Sequence, residues 1–242
     1  MDIMTAPDFW SGQDRMLTVE DMENMPDDEF RYELDDGVLI VSPAPSTLHQ
    51  LAVARLTVVL SAACPAGLVV LPGVGVNISK FHHRVPDVAV VRAGALESYF
   101  QEAPPELVVE VASPRTRLYD RNRKKDVYEG FSIPAYWIIE PHRNRPELTV
   151  FELCSGAYEQ AAHVIGDEEY RAVVPFPVTI VPSKLVTAGW SCLCRVCRHD
   201  LAVAKIGSLC ARLPDADAGY PMPPPGSGDA ADGRPLGSRH VR

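Results

Sequence analysis

Two carboxylates in this chain stand where carboxylates are costly. Asp87 lies near the start of the apolar run VPDVAVV (85–91), and Glu110 near the end of ELVVEVASP (106–114). Both runs are rich in β-branched residues and bounded by Pro and Ser, which predicts buried strands. Leu107, Val108, Val109, Val111 and Ala112 are apolar on both sides of Glu110, so no alternation offers it a solvent face. A buried carboxylate must be neutralised. Two of them on neighbouring strands, followed by the lysine-bearing run DRNRKKDVY (120–128), point to a divalent cation such as Mg²⁺, with Mn²⁺ as a substitute. In outline this is the chemistry of phosphodiester hydrolysis. The plainer alternative for Asp87 is a solvated strand cap or turn former. For Glu110 that alternative is harder to sustain.

The elements that must position these residues can be read in order. Leu17 to Met25 predicts a short helix with Thr18 as N-cap and Asp21 three residues on, ended by Pro26-Asp27-Asp28. A turn at Asp36-Gly37 precedes a strand from Val38 to Val41. Leu48, Leu51, Ala52, Leu56, Val59 and Leu60 recur at helical spacing over 46–63, with Ser46 as N-cap and Pro65 and Gly67 as terminators. LVVLPGVGVNIS (68–79) supplies one or two strands broken at Pro72-Gly73. A short helix is expected within 93–101. Charged residues crowd the 116–130 segment around a sparse apolar side, predicting a helix laid on a sheet and closed by Gly130. AYWIIEP (135–141) reads as another buried strand. LTVFEL (148–153) and GAYEQAAHV (156–164) read as an antiparallel pair, and PFPVTIVPSKL (175–185) as a last edge strand.

At 242 residues and 46% hydrophobic content the chain can build a substantial core. No apolar run approaches the roughly 18 to 20 residues of a membrane-spanning helix. Residues 1–16 are acidic and hold no apolar segment of the signal-peptide kind, so a cytoplasmic location is expected. The expected organisation is a loose leader (1–15), one domain (16–188) and a disordered tail (189–242) rich in Pro and Gly. In the tail Cys192, Cys194, Cys197 and His199 could form a zinc knuckle, although incidental reduced cysteines are the simpler reading.

The net charge of −9 counts against tight, non-specific binding to nucleic acid. The tail carries seven Lys and Arg against five Asp, which leaves 16 basic and 27 acidic residues in the first 188. A local basic face remains available, because Arg115, Arg117, Arg121, Arg123, Lys124 and Lys125 cluster in sequence beside the two carboxylates.

Taken together, RYELDDGVLIVSPAPSTLHQ, RVPDVAVV, LVVEVASPRTRLYDRNRKKDVY and GFSIPAYWIIEP, in that order, resemble the Uma-type family of putative restriction endonucleases, within the PD-(D/E)XK nuclease superfamily. The resemblance runs from about Leu17 to Leu185. It implies an α/β, restriction-endonuclease-like core: a central mixed sheet flanked by helices, with the two acidic strands central and antiparallel strands added. It also implies a metal-dependent endonuclease acting on DNA, with Asp87 and Glu110 as metal ligands. The superfamily's usual lysine two residues after the acidic residue is replaced here by Ala112. The family pattern moves that role to Lys124 on the following helix, where the plainer reading would be a solvated lysine. Glu33 and His49 match further family positions, as an additional ligand for metal or water and as a hydrogen-bond partner of a carboxylate or phosphate. Tyr128 and Trp137 read as core. DNA is the expected partner, with a homodimer left open. The rival readings are a non-catalytic nucleic-acid-binding or regulatory module that keeps the fold, and a hydrolase of a small phosphodiester.

Overall fold

The computed structural model describes residues 15–22, 30–42, 44–96, 100–113 and 116–187. The chain divides into units 1–189 and 190–242, and all of the described residues belong to the first. The tail and its cysteines lie outside them.

A six-stranded mixed sheet forms the centre. Its strands are β3 (Leu68–Pro72), β6 (Val88–Arg92), β7 (Leu107–Val111), β8 (Ala135–Glu140), β9 (Glu147–Cys154) and β10 (Ala157–Ile165), in the spatial order β10-β9-β8-β7-β6-β3. Only β7 and β8 run parallel; the other neighbours are antiparallel. Joining two parallel neighbours requires a crossover, and the 116–130 helical segment provides it. The expected pair after Ala135 is present, with its turn at Ser155-Gly156, both at positive φ.

Both faces of this sheet are covered, which is why its inner strands read as continuous apolar runs. On one face lies α2 (Thr47–Ala63), whose Ala52, Val53, Leu56 and Leu60 pack on Val88, Val90, Val109, Val111, Trp137 and Ile139. Leu56 and Leu60 are fully buried, each contributing about 1.5–3 kcal/mol. Ser46 caps this helix as expected, accepting the His49 N–H. On the other face Tyr128 and Ile133 pack on Val108, Ala112, Tyr136 and Ile138.

A second, four-stranded sheet has the order β2-β1-β5-β4. It contains β1 (Arg31–Asp35), β2 (Val38–Ser42), β4 (Val76–Ser79) and β5 (His82–Arg84). The turn between β1 and β2 is at Asp36-Gly37, with φ of 48° and 74°. Both central residues are left-handed, as a two-residue hairpin requires. Gly37 is also needed sterically, since a Cβ there would come within 2.7 Å of the Met16 Cβ. Helix α1 is the short turn Val19–Met22, with the Thr18 N–H and hydroxyl both bonded to Asp21. Its expected end at Pro26-Asp27-Asp28 lies outside the described residues.

Some elements differ from the sequence expectation. β1 and β5 were not expected as strands. Asp87 sits one residue before β6 rather than inside it. Among the described residues of 93–101, the helix expected there is a 3-10 turn, Ala93–Ala95. The last strand splits into β12 (Val178–Ile180), paired with β11 (Tyr170–Ala172) in a separate ribbon, and a short helix α5 (Pro182–Val186). The crossover is α3 (Arg117–Tyr119), a π turn (Asp120–Lys124) and α4 (Lys125–Gly130). No described helix is long and apolar enough to cross a membrane.

Candidate active site

β6 and β7 pair with Val88 opposite Val109 and Ala89 opposite Val108. Continued by one residue, that register sets Asp87 against Glu110 on the same face. Antiparallel partners share a face, so the two carboxylates line one cleft of about 410 Å³. Glu33 and Arg31 enter this cleft from β1, His49 from α2, and Asp120 and Lys124 from the π turn. Glu33, Asp87, Glu110, Asp120 and Lys124 are all buried, at 2%, 6%, 2%, 2% and 6% exposure. Glu33, His49, Asp87, Glu110 and Lys124, the five residues the sequence singles out, therefore meet in one place.

The contacts are specific. Asp87 Oδ1 accepts from Arg31 Nη1 at 2.9 Å. Its Oδ2 accepts from the Val111 N–H at 2.7 Å and is hydrogen-bonded to His49 Nε2 at 3.1 Å. Burial works to raise the Asp87 carboxyl, but the His49 bond, the Arg31 guanidinium and the Val111 N–H together hold it down to about 2. Glu110 accepts the Tyr128 hydroxyl at 2.7 Å and faces Lys124 Nζ at 2.9 Å. Burial dominates at Glu110 and raises its carboxyl; Lys124 opposes this, while Asp87, Asp120 and Glu33 reinforce it.

Lys124 is enclosed by Glu110 at 2.9 Å and by Glu33 and Asp120 at 3.7 Å each. Burial disfavours its ammonium, yet the three carboxylates outweigh burial and hold its pKa above the usual value. Glu33 accepts from the Val85 N–H at 3.0 Å and from Arg31 Nη2 at 3.2 Å. Burial raises Glu33, but Lys124 and Arg31 pull it below its ordinary range. Burial raises Asp120 as well.

Three participants escaped the sequence reading. The sequence does not single out Arg31 or Asp120, and it reads Tyr128 as core. Its ring is there, fully buried against Tyr136, but its hydroxyl orients Glu110. A phenol buried on an apolar helix face needs a partner for its O–H, and that need is the signal available in sequence. Trp137 is core, as expected. Lys125 points elsewhere, its ammonium 5.4 Å above the Phe151 ring.

The expected basic face is largely committed to internal pairs. Arg117 and Arg121 both pair with Glu140, and Arg123 with Asp35 and Asp36. Arg115 lies outside the described residues.

The donor set suits a hard divalent cation. Among the described residues lining the cleft, four carboxylates (Glu33, Asp87, Glu110 and Asp120) face two permanent cations, Arg31 and Lys124. Fully ionised, that leaves two negative charges, and carboxylate oxygens are the ligand type that Mg²⁺ or Mn²⁺ takes. Among the described residues, the group that brings three ligand atoms within 4.8 Å of one another lies outside the cleft: Asp35, Asp36 and His82, which could hold a metal ion. Arg84 and Arg123 already pair with Asp35 there.

The family model described as "Uma2: Putative restriction endonuclease" matches residues 19–188. Among solved structures, a putative nuclease belonging to DUF820 from Anabaena variabilis ATCC 29413 is similar, with a TM-score of 0.56 and 17% identity. The match covers 70% of this chain and 97% of that one, a likeness of fold. No curated protein sequence matches the chain. With its motifs in order, its acidic strands central in a mixed sheet and most of its length matched, the chain belongs to the Uma2 family of putative restriction endonucleases.

Proposed function

We propose that this protein is a divalent-cation-dependent endonuclease that hydrolyses phosphodiester bonds in DNA, working in the cytoplasm. The observation that carries the reading is the cleft's charge balance, four buried carboxylates against two permanent cations. Asp87 and Glu110 would hold the cation, with Glu33 near enough to contribute an oxygen directly or through water. Such an ion would supply Lewis acidity at the phosphate and lower the pKa of a bound water. The chain's own groups do the rest. His49 and the Val111 N–H fix the Asp87 carboxylate, and Tyr128 fixes Glu110. Lys124, held charged by three carboxylates, stabilises negative charge developing on the phosphate or steadies the attacking water.

The test is incubation with supercoiled plasmid in the presence of Mg²⁺, Mn²⁺ or chelator. Nicking that needs the cation, and falls by about a hundredfold or more in Asp87→Asn, Glu110→Gln and Lys124→Ala, is the expected result. Undiminished cleavage in all three variants would assign any activity to a contaminant or another site. The rival reading is a non-catalytic module. In its favour, every oxygen of Asp87 and Glu110 already faces a protein donor. That reading expects no plasmid cleavage and no divalent cation bound at the cleft.

A further inference from the structure

Among the described residues of the cleft, Arg31 is the permanent cation that touches Asp87 and can also be reached from solvent. Its side chain is 32% exposed, against 8% for Lys124. Lys124 is locked among Glu110, Glu33 and Asp120. Arg31 instead spans Asp87 Oδ1 through Nη1 and, by a longer bond, Glu33 Oε1 through Nη2.

The two oxygens of Asp87 are not equivalent. Oδ2 already takes the Val111 N–H and the His49 contact, so its lone pairs are used. Oδ1 has one remaining, and Oδ1 is the oxygen Arg31 holds. A divalent cation arriving at Asp87 must come to that same oxygen, where two cations repel. Arg31 also carries an unmet need. Its Nε–H is buried and finds no partner among the described residues. An orphaned buried donor is a cost of the present seating, and a different seating could remove it. The Nε and Nη2 groups lie along one edge of the guanidinium, spaced to grip two oxygens of a phosphate.

We propose that Arg31 is first a placeholder and then a clamp. It balances Asp87 and Glu33 until a divalent cation takes Asp87 Oδ1, then turns its Nε–Nη2 edge onto two non-bridging oxygens of the substrate phosphate. This inference rests on the reading of Asp87 as a cation ligand. Its consequence is that cation affinity and turnover respond in opposite directions to loss of the guanidinium. A merely structural arginine would weaken both together.

The experiment is calorimetric titration of Mn²⁺ and Mg²⁺ into the full chain as wild type, Arg31→Gln and Arg31→Lys. Circular dichroism checks folding, and plasmid cleavage is measured on the same preparations. Arg31→Gln should bind the cation about tenfold more tightly. At saturating cation its kcat should fall about a hundredfold. Arg31→Lys keeps the charge without the two-pronged edge, so its cation affinity should stay near that of wild type while kcat still falls. A folded Arg31→Gln protein that binds the cation no better than wild type overturns the placeholder. Tighter binding with undiminished cleavage overturns the clamp. Should Arg31→Gln fail to fold, Arg31→Met takes its place, and failure of both neutral variants makes Arg31 a fixed structural ion and ends the proposal. A wild type that binds no divalent cation overturns the endonuclease reading itself. A wild type that binds and cuts, beside an Arg31→Gln variant of unchanged affinity, overturns this inference alone.

Discussion

Lys124 sits in a run of seven charged or polar residues, DRNRKKD, where a lysine reads naturally as a solvated side chain. The fold leaves it 6% exposed, with three carboxylates around its ammonium. Removing one member of a buried ionic group leaves the others uncompensated, at a cost of roughly 3–5 kcal/mol. Lys124→Met should therefore lower stability by about that amount in urea unfolding at neutral pH. Lys125→Ala should cost less than about 1 kcal/mol, because it loses only a half-exposed contact with the Phe151 ring. Equal losses in the two variants would mean that the buried ion pair contributes no more than the surface contact. The same contrast shows what was legible residue by residue. Glu110 stands out because a carboxylate among Val, Ala and Leu on both sides has no obvious solvent face, while Asp87, at a strand end, also admits the reading of a solvated cap. Arg31 and Asp120 do not stand out, since each lies among other charged residues and owes its burial to chain segments distant in sequence.

Elements were legible wherever burial was continuous. β7, β8 and α2 carry runs or stripes of apolar residues that admit one reading. β1 reads RYELD, with Tyr32 and Leu34 on one face and Arg31, Glu33 and Asp35 on the other. Its alternation is sound, but the charged face, poor in strand propensity, turns inward to the site. β5 is three residues, His82 to Arg84, with no apolar side chain to reveal it. The π turn gives no sequence signal, although it has a clear effect. Residues four apart overshoot an α-helical turn of 3.6 residues, and a wider turn undershoots it. One π turn followed by an α turn lets Asp120, Lys124 and Tyr128 all face the sheet, and all three are buried. Asp35 ties this helix to β1, accepting from Arg123 and from the Tyr119 hydroxyl while pairing with Arg84 of β5. Burial pulls its carboxyl upward, but Arg123, Arg84 and Tyr119 hold it down to about 2, below the ordinary 3.8. A carboxyl lowered on folding contributes stability above its unfolded value and loses that contribution as pH falls through its folded one. Asp35→Asn should thus cost roughly 1–3 kcal/mol at pH 7, and the gap from wild type should close between about pH 4 and pH 2. Urea unfolding across that range checks it, and a gap that stays constant would show that ionisation of Asp35 contributes nothing.

For the molecule as a whole, charge sets the terms. Acidic residues outnumber basic ones by nine, and the arginines beside the cleft are largely paired with Glu140, Asp35 and Asp36. Long-range attraction to a polyanion is then weak. An affinity for substrate would have to come from the cleft, where a bound divalent cation would cancel the two negative charges left by four carboxylates and two permanent cations. That cation also couples to folding, because an ion that binds the native chain and not the unfolded one stabilises it by mass action. At a concentration about 100 times its Kd the gain is about 2.7 kcal/mol. For a domain of this size that amounts to roughly 5–10 °C in melting temperature. With ionic strength held constant by NaCl, Mg²⁺ or Mn²⁺ should raise the melting temperature of the wild type by that much. Asp87→Asn should abolish most of the rise, and Asp35→Asn should leave it intact on its lower baseline. The reverse pattern, with the rise lost in Asp35→Asn and kept in Asp87→Asn, would move the ion to the group formed by Asp35, Asp36 and His82. It would also leave the charge imbalance of the cleft to be met by protonation of a carboxyl, Glu110 being the one burial already raises.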